Sequence, residues 1–315
     1  MSLMGKICTF VVSQKLNFNP EKNEEKNIDV VLATKEMGSF MKCDKLKGDY
    51  NDEIIDVDGC PLEVFSKKGS DSEKIIYFLH GGAYIGGMSG MYRKWAKFLI
   101  NATGAKIFMP DYRVAPEYVF PAQLEDAEKC WNYLLSQGYK EENIVIAGDS
   151  AGGNLSLALM LKLRDEGRKL PCGAALFSPW GDMTCSGESY VKNYPNDVMF
   201  GYKGREFEES KRAELLKSAI FSFVGSADRK NPLVSPVYGE YHDFPECFLI
   251  AAKNEMLLSD TLTIAEKINQ AGGKAEVFAE HNMFHVYPIL VDMCSEAKIA
   301  NKLAAEFINK KFANK

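Results

Sequence analysis

The chain has 315 residues, of which 46% are hydrophobic and 26% charged, and its formal net charge is −5. That is the composition of a globular protein with room for one large α/β domain or two smaller ones. The acidic balance implies no basic face for nucleic acid, and the longest apolar runs fall far short of a membrane span. The apolar stretch ICTFVV (7–12) is too short for the core of a signal peptide.

Taken in chain order, residues 1–50 are polar and irregular and include the charge run EKNEEKN. EIIDVDG and CPLEVFS (53–66) predict two strands joined at Asp58-Gly59, a hairpin signal. KIIYFL (74–79) is a continuous apolar run and predicts a buried strand. MYRKWAKFLINAT (91–103) has helical spacing, AKIFMP (105–110) reads as a strand, and PAQLEDAEKCWNYLLSQ (121–137) as a helix opened by a proline. NIVIAG (143–148) is a strand, followed by a helix that ends near Gly167, and CGAALFSP (172–179) is another strand. CFLIAAK (247–253) and KAEVFAE (274–280) are the last two strands, separated by the helix DTLTIAEKINQAGG, and a helix from about Tyr287 to Phe312 closes the chain.

Alternating strands and helices from residue 74 onward predict a mainly parallel sheet covered on both faces. Residues 185–225 interrupt the alternation with a charged helical pattern, REFEESKRAELLKSAIFSF (205–223). An insertion at the carboxyl end of a strand lies where such folds bind ligands. Residues 1–50 and 185–225 are therefore read together as a cap, leaving 51–184 and 226–315 as the core.

The eight cysteines, Cys8, Cys43, Cys60, Cys130, Cys172, Cys185, Cys247 and Cys294, are scattered, with no CxxC and no ligand-like pairing with the four histidines. They are read as free thiols in a reducing cytoplasm, with no metal site expected.

Chemistry enters at Gly148-Asp149-Ser150-Ala151-Gly152, a G-x-S-x-G between a strand and a helix. Such a turn strains its middle residue and pushes the hydroxyl into the open at a helix N-terminus, where an oxyanion is also favoured. The alternative for Ser150 is an ordinary N-cap. A nucleophile needs backbone donors, a base and an orienting acid. HGGAYIGG (80–87) directly follows the 74–79 strand, and its glycines allow backbone N–H groups to face a substrate oxygen. Gly82 and Ala83 are candidate donors there, with Ala151 as a third.

These segments, together with DYRVAPEYVFPAQLEDA (111–127), GDSAGGN (148–154) and SPWGD (178–182), occur in the order and at the spacing of the hormone-sensitive-lipase-like carboxylesterases, a family of α/β-hydrolases that the chain resembles over roughly 74–312. The resemblance implies an eight-stranded, mostly parallel sheet with its first strands antiparallel, a helical cap, and cofactor-free ester hydrolysis through an acyl-enzyme. It implies a small-molecule ester as partner and leaves assembly into a homo-oligomer open. Ala83 stands where many members have a third glycine; the oxyanion hole uses backbone N–H, so a methyl group there is tolerable if φ is negative. Arg113, Glu117 and Asp126 are expected to fix loop geometry, and His80 to brace the donor loop.

The family's base follows the last strand, often in MFHV, which matches His285. His281 falls too early and His242 lies in a loop before a strand. The acid is usually an aspartate in D-P-L-x-D past the preceding strand, but here the segment reads AAKNEMLLSD. Glu255 is the expected acid, and Asp260, read as the N-cap of the next helix, is the alternative. Tyr84, Trp180, Phe200 and Phe223 are expected to face the substrate.

Two rival readings remain. One is amide or peptide hydrolysis on the same scaffold. The other is a ligand receptor without catalysis, as in the plant gibberellin receptors, which resemble this family but lack its histidine.

Overall fold

A computed structural model of the chain describes residues 1–15, 18–25, 29 and 45–313. Two helices, α1 (Leu3–Lys15) and α2 (Pro20–Glu25), precede the sheet. Cys43 and much of the 1–50 segment read as cap lie outside the described residues.

The predicted hairpin forms from β1 (Tyr50–Val57) and β2 (Cys60–Lys67), with Val57 opposite Cys60. Asp58 and Gly59 both take positive φ, 48° and 84°, as a two-residue hairpin turn requires. The alternation then proceeds through β3 (Ile75–Leu79), α3 (Gly90–Thr103), β4 (Lys106–Pro110), α4 (Ala122–Ser136), β5 (Ile144–Asp149) and α5 (Ala151–Asp165). After β6 (Gly173–Phe177) come the short α6 (Glu188–Lys192) and α7 (Glu209–Lys217). β7 (Cys247–Ala252), α8 (Leu258–Gln270), β8 (Ala275–Glu280) and α9 (Ser295–Ala313) complete the chain.

The eight strands form one sheet in the order β1-β2-β4-β3-β5-β6-β7-β8. β1, β2 and β4 pair antiparallel, and every other neighbour is parallel. β3, β5, β6 and β7 are buried on both faces, which is why they read as unbroken apolar runs. Successive side chains of β3 enter opposite layers. Ile75, Tyr77 and Leu79 join the core beneath α4, α5 and α8, while Ile76 and Phe78 join Trp95 and Leu99 of α3 and Ala300, Ala304 and Ile308 of α9. Burying each such large apolar side chain contributes roughly 1.5–3 kcal/mol. The order reverses at β3 and β5, and their carboxyl ends open the crevice where a doubly covered sheet holds its ligand.

Two predicted helices are shorter than the pattern implied. The 205–223 pattern breaks at Ser218, whose ψ of 158° is extended, and continues as a 3₁₀ turn over Ala219–Val224. The closing helix starts at Ser295, not near Tyr287. A 3₁₀ turn (Tyr287–Leu290) and Val291, at φ 59°, lie before it. Asn301, inside that helix, donates to Pro288 O (2.7 Å) and so ties the turn to it.

Candidate active site

Ser150 follows β5 directly and begins the turn into α5 with φ 52° and ψ −118°, a conformation rare for a residue with a side chain. The turn survives because its neighbours are bare. A Cβ on Gly148 would stand 2.4 Å from Gly152 O, and one on Gly152 would stand 2.0 Å from Leu79 O. The Ser150 N–H donates to Phe177 O (2.9 Å), and its carbonyl accepts from Trp180 N (3.0 Å) and Asn154 N (3.0 Å). The backbone is thus pinned to β6 while Oγ projects into the crevice.

His285 lies in the turn after β8. Val286 beside it is left-handed (φ 55°), and the Val286 N–H donates to Ser178 Oγ at 3.2 Å. His285 Nε2 is 2.8 Å from Ser150 Oγ, and Nδ1 is 2.8 Å from Glu255 Oε2. Glu255 occupies the turn after β7, and its other oxygen accepts the Ala252 N–H at 3.2 Å. Exposure falls along this line from 7% at Ser150 to 3% at His285 and 1% at Glu255, so the carboxylate is screened from water by the ring it holds. His281 is exposed at the end of β8 with Nε2 near Lys253 Nζ (2.9 Å), and His242 is exposed in its loop.

Asp260 is a correction. It sits in the third position of α8, whose cap residue is Leu257, and so does not cap the helix. Its Oδ2 instead reaches across to accept from Gly181 N (2.9 Å), Asp182 N (3.0 Å) and the Tyr190 hydroxyl (3.0 Å). Burial, reinforced by Asp182, pushes this carboxyl well above its ordinary range. The residue fastens the loop after β6 to α8.

The donor loop is held from behind. Gly81 N–H donates to the Tyr92 hydroxyl (2.8 Å) and to Asp149 Oδ1 (2.9 Å), and Tyr92 also donates to Asp149 Oδ2 (3.1 Å). Burial pushes Asp149 up to about 7, although the Tyr92 and Gly81 bonds pull the other way. His80 Nδ1 faces Gly81 O (2.7 Å), and its ring lies flat on Tyr112 at 4.1 Å. Burial lowers its pKa, despite Asp111 nearby. Further along, Arg113 grips Asp126 through Nε at 2.8 Å.

Gly82 O accepts from both Ile85 N (3.0 Å) and Gly86 N (2.9 Å). This winding forces Ala83 and Tyr84 to φ 53° and 60°, so the condition of a negative φ under which a methyl group at Ala83 is tolerable is not met. A side chain held in that region costs about 1–2 kcal/mol per residue. Among the described residues, no acceptor engages the N–H of Gly82, Ala83 or Ala151. Ala151 is the first residue of α5, where the N–H groups have no partner within the helix.

Two cavities meet at Ser150. The larger, about 210 Å³, includes Gly82, Ala83, His285, Phe200, Met199 and Leu290 in its walls. The smaller, about 20 Å³, includes Trp180, Tyr190, Leu215, Phe221 and again Ala83 and Phe200. Of the four aromatics expected to face substrate, Phe200 lines both, and its ring stands edge-on to His285 at 5.0 Å. Trp180 lines the smaller. Tyr84 and Phe223 line neither: they stack on each other at 4.0 Å, and the Tyr84 hydroxyl donates to Asn154 Oδ1 (2.7 Å).

Two buried polar residues went unnoticed in the sequence. Asn154, one helical turn past Ser150, also donates to Trp180 O (2.6 Å) and Val234 O (3.0 Å). Asp197, in the 185–225 insertion, accepts from Met256 N (2.7 Å), Met199 N (2.8 Å) and Phe200 N (3.0 Å). It therefore joins the Glu255 turn to two residues of the cavity wall. The G-D-S-A-G-G-N run could have flagged Asn154, but nothing local marks Asp197.

A strained serine at the carboxyl edge of this sheet, with an imidazole and a carboxylate in line behind it, is the architecture of a hydrolase. The chain belongs to the α/β-hydrolase fold family, whose model matches residues 76–289. It is 29% identical over 256 residues to an acetyl-hydrolase of Streptomyces hygroscopicus, covering 81% of this chain and 82% of the relative. It is 30% identical over 250 residues to the putative acetyl-hydrolase LipR of Mycobacterium tuberculosis, covering 78% and 76%. Among solved structures, EstE5 soaked with p-nitrophenyl butyrate superposes with a TM-score of 0.86 at 27% identity, covering 99% of this chain and 100% of that one. An esterase of the bacterial hormone-sensitive lipase family superposes with a TM-score of 0.84 at 27% identity, covering 99% of each. The protein is a carboxylic ester hydrolase of this hormone-sensitive-lipase-like group. No helix among the described residues is long and apolar enough to cross a membrane.

Proposed function

We propose that the protein is a serine carboxylesterase for short-to-medium-chain esters, with Ser150 as nucleophile, His285 as general base and acid, and Glu255 as the orienting acid. The observation that carries this reading is the pair of 2.8 Å contacts running from Ser150 Oγ through the His285 ring to Glu255. Ser150 Oγ attacks the ester carbonyl carbon as its proton passes to His285 Nε2. The buried Glu255 carboxylate accepts a hydrogen bond from Nδ1–H, which keeps its proton, and offsets the charge of the imidazolium that forms. The N–H groups of Gly82, Ala83 and Ala151 take the tetrahedral oxyanion, aided by the positive end of α5.

Collapse of that intermediate breaks the bond to the leaving oxygen, which receives the proton from Nε2. A water molecule then repeats the sequence on the acyl-enzyme and releases the acid. Residues 1–50 and 185–225 act as a cap over the 51–184 and 226–315 core. Supporting this, Val12 and Phe18 from the first segment, and Met199, Phe200, Leu215 and Phe221 from the second, line the cavities. The seven described cysteines are free, in keeping with a reducing cytoplasm.

The test is Ser150→Ala. It should fold and lose roughly 10⁴–10⁶ in kcat, as removal of a serine nucleophile does elsewhere. Retention of more than a few per cent of activity would place the nucleophile on another residue.

A further inference from the structure

The turn that carries Glu255 holds itself weakly. Its internal bonds are long: Glu255 N to Ala252 O is 3.2 Å, and Leu258 N to Glu255 O is 3.3 Å. The Glu255 carboxylate has one backbone donor, Ala252 N–H, also at 3.2 Å, and a glutamate has one more rotatable bond to fix than an aspartate. The turn is instead gripped from the 185–225 insertion. Asn193 Nδ2 donates to Lys253 O (3.0 Å) and to Glu255 O (2.8 Å), and Asp197 Oδ2 accepts from Met256 N (2.7 Å). The peptide plane between Glu255 and Met256 is therefore held at both its carbonyl and its N–H. Ser189 Oγ donates to Met256 O (2.5 Å) and accepts from Ser259 N (2.8 Å). Among the described residues, every backbone bond from 254–259 to a distant part of the chain ends on one of these three side chains.

The three are themselves fixed in one continuous winding. Asn193 N donates to Ser189 O (2.9 Å), and Asp197 N to Asn193 O (2.8 Å). A rotation of the gripped peptide plane would swing Glu255 away from His285 Nδ1. A misplacement of about 1 Å in a catalytic array costs on the order of 10²-fold in rate. Resting on the reading of Glu255 as the orienting acid, we propose that Asn193 and Asp197 are positioning residues for the reaction. The insertion, besides lining the site, sets the place of the acid. The two residues differ in one respect. Asp197 Oδ1 also accepts from Met199 N (2.8 Å) and Phe200 N (3.0 Å), in the wall of the larger cavity, whereas the Asn193 side chain bonds only the acid turn.

Double-mutant cycles against Glu255→Gln test this. In the parent, Asn193→Ala should lower kcat by roughly tenfold to a hundredfold and leave KM within about twofold, because no tie to the cavity wall is lost. Asp197→Asn sets an NH₂ against buried N–H groups, so one attachment breaks; kcat should fall by a similar factor and KM should change with it. In the Glu255→Gln background, where the acid no longer acts, each substitution should cost less than about threefold more. A residue that merely supports the fold would lower the melting temperature and cost the same factor in both backgrounds. If Asp197→Asn does not fold, Asn193→Ala, at a half-buried position, carries the test alone. A parental kcat in Asn193→Ala, or equal losses in both backgrounds, would overturn the proposal. A folded Glu255→Gln near the parental rate would instead remove the acid assignment beneath it, so the two failures are distinguishable.

Discussion

Replacing Glu255 by glutamine keeps the side chain's shape and changes only which of its atoms can donate. In the native protein both carboxylate oxygens accept, one from the Ala252 N–H at 3.2 Å and the other from His285 Nδ1 at 2.8 Å. A glutamine must turn its single oxygen toward one of them. Facing Ala252 is the satisfied choice, because two N–H groups would otherwise meet there in a buried turn at a cost of about 1–3 kcal/mol. The NH₂ then points at Nδ1, which must accept, and the ring's proton moves to Nε2. In that tautomer Nε2 cannot take the proton of Ser150. The charge balance for the imidazolium is lost as well. The expected loss in kcat is roughly 10²–10⁴, equivalent to about 3–5 kcal/mol. Asp260→Asn is the control. Its Oδ2 accepts all three bonds, and burial already favours its neutral form, so an amide with its oxygen in that place should keep kcat within about threefold. Initial rates on p-nitrophenyl acetate, with melting curves to verify folding, decide the matter. A folded Glu255→Gln within threefold of the parent, or a larger loss in Asp260→Asn, would refute the reasoning.

Asp149 gives a pH signature. Its carboxyl is pushed up to about 7 by burial, so between the ordinary carboxylate range and that value the folded chain holds a proton the unfolded chain has released. Stability from this group therefore falls as pH rises across that window and levels off above it. Relative to Asp149→Asn, the parent should lose about 2–3 kcal/mol between pH 5 and pH 7.5 in urea unfolding, and a constant difference would contradict the burial argument. The cap should limit acyl size, so p-nitrophenyl acetate through hexanoate should be cleaved faster than the dodecanoate; preference for long emulsified triglycerides would point instead to an opening lid. The proposed mechanism assigns no role to a metal or a cysteine, so EDTA and thiol-blocking reagents should leave the reaction rate unchanged, and rapid inactivation by EDTA would contradict it.

What was legible in the sequence was what local chemistry dictates. The hairpin at Asp58-Gly59, the apolar runs of β3, β5 and β7 and the glycine-flanked Ser150 each depend on neighbours in the chain. The family resemblance pointed to His285 and Glu255 after successive strands, and their side chains meet there. Their contact spans 30 residues and follows from β7 and β8 pairing in parallel. What failed was decided by partners far away. Asp260 at a helix start looks like a cap until the Gly181-Asp182 turn, 79 and 78 residues off, arrives to bind it. Tyr84, beside the donor loop, and Phe223, in the 185–225 insertion, are aromatics that are absorbed into each other's packing. The sign of φ at Ala83 follows from two hydrogen bonds closing on Gly82 O, which no residue pattern announces.

Fluorophosphonate labelling followed by peptide mapping decides whether Ser150 is the nucleophile, because the reagent traps a serine only where a base and an oxyanion site already activate it. One label per chain is expected, on Ser150, with activity lost in proportion, and no label in Ser150→Ala or in protein denatured beforehand. An active preparation that takes no label, or takes it on another residue, would contradict it.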